Sequence, residues 1–280
     1  MDDDQSHHGG LAHDLQVLGA QLSRRRILGL LVGASLIPVI GCGSDADSSV
    51  ADAGGGTDAG GTPANDSGVP SCSTIPQETA GPYPGDNPNG ANALALAGIV
   101  RSDIRSSLGT SSTVAEGVPL TIILTLVNAS ANCAPLADHA IYLWHCDRAG
   151  AYSMYSGAAQ SENYLRGVQQ TDASGQVTFQ SIFPACYSGR WPHIHFEVFA
   201  SLAAATTGRN ALRTSQLALP ESACNEVFAT TGYSASVTNL RQVSLASDNV
   251  FSDGASLQVA TISGDATTGY TARLVVAVQA

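Results

Sequence analysis

Lysine is absent from this 280-residue chain, and all 12 basic residues are arginine. Acidic residues number 23, the formal net charge is −11, and only 12% of residues are charged. Twelve arginines against 23 acidic residues leave no basic excess to neutralise a run of phosphates, which argues against nucleic acid as a partner. Hydrophobic residues make up 44% of the chain, enough to bury a core. The surface must then take its polarity from Ser, Thr, Asn, Gln and Gly rather than from ions. The apolar run 27–40 falls short of the roughly 20 residues that a membrane-spanning helix needs. No C-x-x-C occurs, and the cysteine spacing is not a zinc pattern. There is no internal repeat. The length suits one sizeable all-β domain or two small ones.

What is present begins with an export signature. Ser23-Arg24-Arg25-Arg26-Ile27-Leu28 opens the apolar run, which ends at Val39-Ile40-Gly41-Cys42. A basic cluster, a short apolar stretch and a small residue before the cut read as an export signal. The Ser-Arg-Arg start resembles a twin-arginine signal. Val-Ile-Gly-Cys resembles a bacterial lipobox, in which Cys42 carries lipid and becomes the new N-terminus. The alternative is an ordinary secretory signal cut nearby. Either way residues 1–42 are expected to direct export, and the lipid would be the only tie to a membrane. Residues 43–70 are Gly, Ala, Asp, Ser and Thr with almost no large apolar side chain. Such a stretch cannot offset its ordering entropy, and a disordered tether is expected. The folded domain is expected over 71–280.

Cysteine usage agrees with export. With Cys42 assigned to lipidation, Cys72, Cys133, Cys146, Cys186 and Cys224 remain. Disulfides are expected outside the cytoplasm. Five is odd, so at least one thiol stays unpaired; Cys146, in an apolar strand, is the candidate, and the pairing stays open.

From residue 71 onward apolar residues alternate with polar ones between turn signals, which predicts an all-β domain. Strands are expected at 118–127, 140–146, 168–171, 176–182, 193–199, 212–219, 256–262 and 271–278. Asp172-Ala173-Ser174-Gly175 is a turn sequence and predicts a hairpin. The best helix is 221–229, following Pro220. Many short strands with few short helices and long loops favour a β-sandwich.

Pro192-His193-Ile194-His195-Phe196-Glu197-Val198 is the most informative segment. On a strand, alternate side chains face opposite ways. Ile194, Phe196 and Val198 belong to the core, and His193, His195 and Glu197 to the other face. The two histidine Cα atoms are then roughly 6–7 Å apart, within reach of one metal ion. An ordinary polar outer face is the alternative. Pro184-Ala185-Cys186-Tyr187-Ser188-Gly189-Arg190 reads as a turn that brings Tyr187 and Arg190 beside the histidines. A second strand, Trp144-His145-Cys146-Asp147, ends in a turn that leads to Tyr152. Trp144 is expected in the core, while His139 and His145 are expected at the surface.

Three motifs follow in order: W-x-x-x-x-x-G-x-Y (Trp144 to Tyr152), Y-L-R-G-x-x-x-T-D-x-x-G-x-x-x-F (Tyr164 to Phe179), and P-x-x-Y-x-x-R-x-x-H-I-H (Pro184 to His195). This order resembles the intradiol ring-cleavage dioxygenases, the catechol and protocatechuate enzymes. Gly81-Pro82-Tyr83 resembles a further element of that family. The resemblance implies iron(III), Fe(3+), held by Tyr152, Tyr187, His193 and His195. It implies a catechol substrate, dioxygen as co-substrate and a muconate-type product. It gives Tyr187 a second role as the ligand that leaves and takes a substrate proton, and Arg190 the role of stabilising developing negative charge. Tyr83 and Gln216 would contact substrate. Tyr164 and Arg166 would pack behind the metal, and no carboxylate ligand, Glu197 included, is implied. The segment between Tyr187 and His193 is much shorter than in the protocatechuate enzymes and is similar to that of an exported subgroup, which leaves the substituted catechol open. The segment 248–254 reads as a structural turn, and a monomer or weak dimer is expected.

Two rival functions remain from sequence. A surface-displayed β-sandwich binding module would explain the tether, but not the convergence of Tyr, His and Arg. A His-based copper or Fe(II) oxidase would need a further His or carboxylate.

Overall fold

Residues 72–87 and 90–280 are described by the structure, a computed structural model. The export signal, Cys42 and the tether lie outside the described residues. Two sheets pack face to face, the expected β-sandwich. In β1 (Pro119–Asn128), alternation sends Leu120, Ile122, Leu124 and Leu126 inward. One edge of β1 meets β2 (Ala134–Pro135) and β5 (Gln176–Ile182), both antiparallel. The other meets β9 (Gly269–Val278) in parallel, with β8 (Thr261–Asp265) beyond it. The second sheet is antiparallel, in the order β4 (Arg166–Gln170), β3 (Ala140–Trp144), β6 (His193–Phe199), β7 (Arg213–Ala218). Ile122, Leu124, Phe179 and Val276 from the first sheet interleave with Ile141, Leu143, Ile194 and Phe196 from the second. Two inner faces meeting in this way are how a sandwich hides its apolar residues from water.

The outer face of the four-stranded sheet is covered as well. Ala93, Leu94 and Ile99, together with Ala205 of α1 (Leu202–Thr207), lie over Tyr142, Trp144 and Phe199. Every residue of β6 is therefore buried. The histidine face is not the polar outer face that an isolated strand would present. One row crosses all four strands: Arg166 pairs with Trp144, Trp144 with His195, and His195 with Gln216.

A strap from the N-terminal side of the domain reaches this row. The disulfide Cys72–Cys133 ties its start to the turn after β1. The strap then runs along the sandwich through Ile75 N–H to Ala277 O (2.9 Å) and Glu78 N–H to Thr214 O (2.8 Å). Gln216 Nε2 donates to Thr79 O at 2.9 Å. Among the described residues Cys146 is unpaired, as expected, and so are Cys186 and Cys224. All three are buried, and burial raises each thiol pKa, so they are inert structural thiols.

Four expectations are corrected. The hairpin expected around Asp172–Gly175 does not form: the turn closes through Gly175 N–H to Asp172 O (2.9 Å), but β4 pairs with β3 and β5 with β1, in different sheets. His145 is buried, not at the surface. It points away from Trp144 into the space between the sheets, where Nε2 meets Ser181 Oγ at 2.6 Å and Nδ1 meets Cys146 O at 2.7 Å. The second sheet thus allows both residues to be buried. The strand expected at 256–262 is largely a turn, because the N–H groups of Gln258 and Val259 both bond to Ala255 O. β8 starts only at Thr261. Beside the expected helix, α2 (Glu221–Phe228), two more form, α1 and α3 (Ser234–Leu240). Ser201 caps α1 by accepting from Ala204 N–H, and Gly208 ends it at φ 63°. Among the described residues no helix is long and apolar enough to cross a membrane.

Arg166 fastens the covering layer. Its guanidinium is buried and donates to five acceptors: Ser153 Oγ (3.1 Å), Ser153 O (2.9 Å), Tyr83 O (2.9 Å), Pro84 O (2.9 Å) and Tyr142 Oη (3.2 Å). All five N–H donors are thereby used. The acceptors lie on the strap, on β3 and on the turn that carries Tyr152. Replacing Arg166 by Met would leave these buried oxygens short of donors. We expect Arg166→Met to lower the unfolding free energy by roughly 3 kcal/mol or more, read from urea denaturation; a loss well under 1 kcal/mol would contradict this role.

Candidate metal centre

Four side chains from three places in the chain converge at one end of the sandwich. β6 supplies His193 and His195, two residues apart on one face. The turn after β3 supplies Tyr152, and the loop after β5 supplies Tyr187. His193 Nε2 lies 3.1 Å from His195 Nε2. Tyr152 Oη is 3.2 Å from His195 Nε2 and 3.5 Å from His193 Nε2. Tyr187 Oη is 3.2 Å from His193 Nε2. Donors so spaced around a common centre would each stand about 2 Å from it, the ordinary metal–ligand distance. Two imidazole nitrogens facing each other at 3.1 Å gain little by themselves, so the arrangement makes most sense around a cation.

The backbone fits this convergence. Gly150 has φ 89°, and a Cβ there would sit 3.2 Å from Tyr187 Cβ. Gly81 has φ 69°, and a Cβ there would press on the His195 ring at 3.3 Å. Only glycine serves both needs at these points, a left-handed backbone and a close approach. His193 Nδ1 bonds to Trp191 O, which leaves Nε2 as the bare acceptor turned to the centre. His195 is held differently. Trp144 stacks on it at a centroid distance of 5.0 Å and 4° between planes, and the buried Nδ1 of His195 has no partner among the described residues.

The electrostatics suit ligation. Burial, reinforced by the charge of Arg190, lowers the pKa of His193 well below the usual imidazole value. His195 is lowered by burial and then by its neighbour His193. Both rings are therefore neutral, with lone pairs free. Burial first and Tyr187 second raise the Tyr152 phenol well above 10. It would ionise near neutrality only beside a cation. Tyr152 is buried, whereas Tyr187 is partly exposed. Glu197 shares the histidine face but takes no part. Its Oε1 accepts from Thr214 Oγ1 at 3.1 Å, and burial raises its pKa to about 7.

The other residues singled out by sequence are also brought near. Arg190 is buried and donates from Nη2 to Gln216 Oε1 at 2.7 Å. Gln216, itself fully buried, neighbours His195 across the sheet. Tyr83 lies against Tyr152 with ring centroids 5.0 Å apart. Tyr164 Oη donates to Asp147 Oδ2 at 3.1 Å and packs behind the turn, apart from the donors. Sequence reasoning missed two participants. One is the Trp144 ring on His195, visible only once strand register is known. The other is Asp248, which pairs with Arg190. A buried arginine needs acceptors for its N–H donors, and the carboxylate of Asp248 in a turn was the available signal.

Comparison with known proteins adds to this geometry. Residues 103–225 match the family model described as Dioxygenase. That stretch holds both tyrosines, both histidines, Arg190 and Gln216. No curated protein matches the chain. Among solved structures, an intradiol ring-cleavage dioxygenase from Tetranychus urticae is similar at TM-score 0.59 and 24% identity, covering 74% of this chain and 95% of that one. The dioxygenase domain of a dioxygenase–carbohydrate-binding fusion from Streptomyces sp. SirexAA-E gives TM-score 0.48 at 23% identity, with 74% and 99% covered. Catechol 1,2-dioxygenase from Pseudomonas arvilla C-1 gives 0.45 at 21%, with 73% and 62% covered. The chain thus has the fold of the mite dioxygenase, and over residues 103–225 it matches the Dioxygenase family model.

Proposed function

We propose that the protein is an exported non-haem iron(III) dioxygenase that opens catecholic rings between the two hydroxyl-bearing carbons. The observation that carries this reading is the convergence of Tyr152, Tyr187, His193 and His195, each with its donor atom 3.1–3.5 Å from that of at least one other. The donor set favours a hard trivalent cation. Ferric ion prefers anionic oxygen and accepts imidazole. Two phenolates would offset most of its charge, which lowers the cost of holding it in a buried site. Bound iron(III) would supply Lewis acidity towards a catecholate and make a ring carbon reactive to dioxygen.

The protein's own residues would divide the remaining work. Tyr152, locked by burial, serves as a permanent ligand. Tyr187, partly exposed and on a loop, is suited to swing away and accept a catechol proton at Oη, a general-base role. Arg190 stabilises negative charge that builds on the substrate, and Gln216 fixes its guanidinium. Tyr83 walls the pocket against Tyr152. Export is supported by the Cys72–Cys133 disulfide, which an oxidising compartment permits. Anchoring through Cys42 rests on the sequence of the signal.

Two outcomes are expected. Iron(III)-loaded protein should be coloured by tyrosinate charge transfer, the colour should shift on adding catechol, and Tyr152→Phe should lose the iron. A colourless protein that neither binds nor consumes catechol would sink the proposal. Loading should also depend on pH. The phenols carry protons when the site is bare and lose them when it is filled, so affinity rises with pH. Two released protons give a slope of about two log units per pH unit below the phenol range, measured by competition with a chelator of known proton linkage. A flat profile would mean that the tyrosines are not ligands.

A further inference from the structure

We infer that Asp248 is the positioning residue for Arg190, and that this buried pair sets how well the guanidinium meets the reacting substrate. The inference rests on the dioxygenase reading above but concerns a residue outside the stretch that matches the family model. Asp248 has no exposed surface, and Arg190 is only 3% exposed. Asp248 Oδ2 accepts from Arg190 Nε at 2.9 Å and from Trp191 N–H at 2.7 Å. Its Oδ1 accepts from Val250 N–H at 2.8 Å and Phe251 N–H at 3.2 Å. The carboxylate is thus fixed by its own loop on one oxygen and grips the arginine on the other.

The arginine is held from both sides. Nε is bound by Asp248, and one Nη2 hydrogen is bound by Gln216 Oε1 at 2.7 Å. Nη1 makes no hydrogen bond of its own within the protein among the described residues, so its two N–H groups and the second one of Nη2 are the donors left for a ligand. The fork of a guanidinium is planar, so fixing Nε and Nη2 fixes the direction of Nη1 as well. Preorganised donors matter most where charge develops, because they need no reorganisation during reaction. Removing one partner from a buried pair also leaves the other charge without its anion. Trp191 carries the same carboxylate's second bond, and its carbonyl holds His193 Nδ1. A change at Asp248 could therefore reach the metal site by a second route, and the test must separate the two.

The experiment is a double-mutant cycle on iron-loaded protein with catechol as the probe. The variants are Asp248→Asn, Arg190→Lys and both together. Asp248→Asn should lower kcat by about 10- to 100-fold with KM changed by less than about 3-fold, the split expected for lost transition-state stabilisation. Iron content and the visible band should stay as in wild type. In the Arg190→Lys background the same change should cost less than about 2-fold, because its effect runs through the arginine. Equal losses in both backgrounds, or loss of iron and colour, would overturn the inference in favour of a structural role. Full activity in Asp248→Asn would overturn it outright. Should Asp248→Asn fail to fold, the Arg190 Nε–H resonance of metal-free wild type decides. Slow solvent exchange supports the pair and fast exchange refutes it. A wild-type protein that turns over no catechol would instead defeat the dioxygenase reading, a result distinct from any of these.

Discussion

Burial of both faces of β6 is the constraint on which the rest depends. A strand with His, His and Glu on one face would ordinarily turn that face to water. Here the segment before β1, α1 and the disulfide-tied strap cover it. The cover keeps the two histidines desolvated and neutral, as the proposed ligand role requires. The row Arg166–Trp144–His195–Gln216 shows how sheet register distributes the work. Arg166 fastens the cover, Trp144 stacks on His195, His195 is one of the proposed ligands, and Gln216 holds Arg190.

The same burial explains the choice of tyrosine as partner. A phenol can sit in an apolar site as a neutral group at modest cost, where a carboxylate would resist desolvation. It becomes an anion only when a cation arrives. The donor set carries no charge when empty and would carry only one positive charge with iron(III) bound. The two buried arginines near it are treated differently. Arg190 has a carboxylate at 2.9 Å, whereas Arg166 has five neutral oxygens as its hydrogen-bond acceptors. Distributing one charge over five dipoles lets a cation remain buried and makes it a structural hub.

Much of this was legible in the sequence where a local rule applied. Alternation in HIHFEVF fixed the strand and its two faces. The Asp172–Gly175 turn was legible, but it carries the chain from one sheet to the other rather than closing a hairpin; β5 and β6 form over the expected residues. The convergence of the four proposed ligands needed the order of three motifs, because Tyr152 and Tyr187 reach the histidines through the fold rather than by spacing. What stayed hidden depends on long-range packing. His145 looked exposed because a single strand gives no hint of Ser181 beneath it. The Cys72–Cys133 pair joins residues 61 apart in sequence, which no spacing rule selects. The 256–262 segment has strand composition, but Ala255 O captures its N–H groups first.

The central claim is that these four side chains hold one metal ion. Crystals of iron-loaded protein, with diffraction recorded on both sides of the iron absorption edge, test it directly. The account predicts a single anomalous peak bonded to Tyr152 Oη, Tyr187 Oη, His193 Nε2 and His195 Nε2. No peak there, or a peak bound by a different set of side chains, would contradict it.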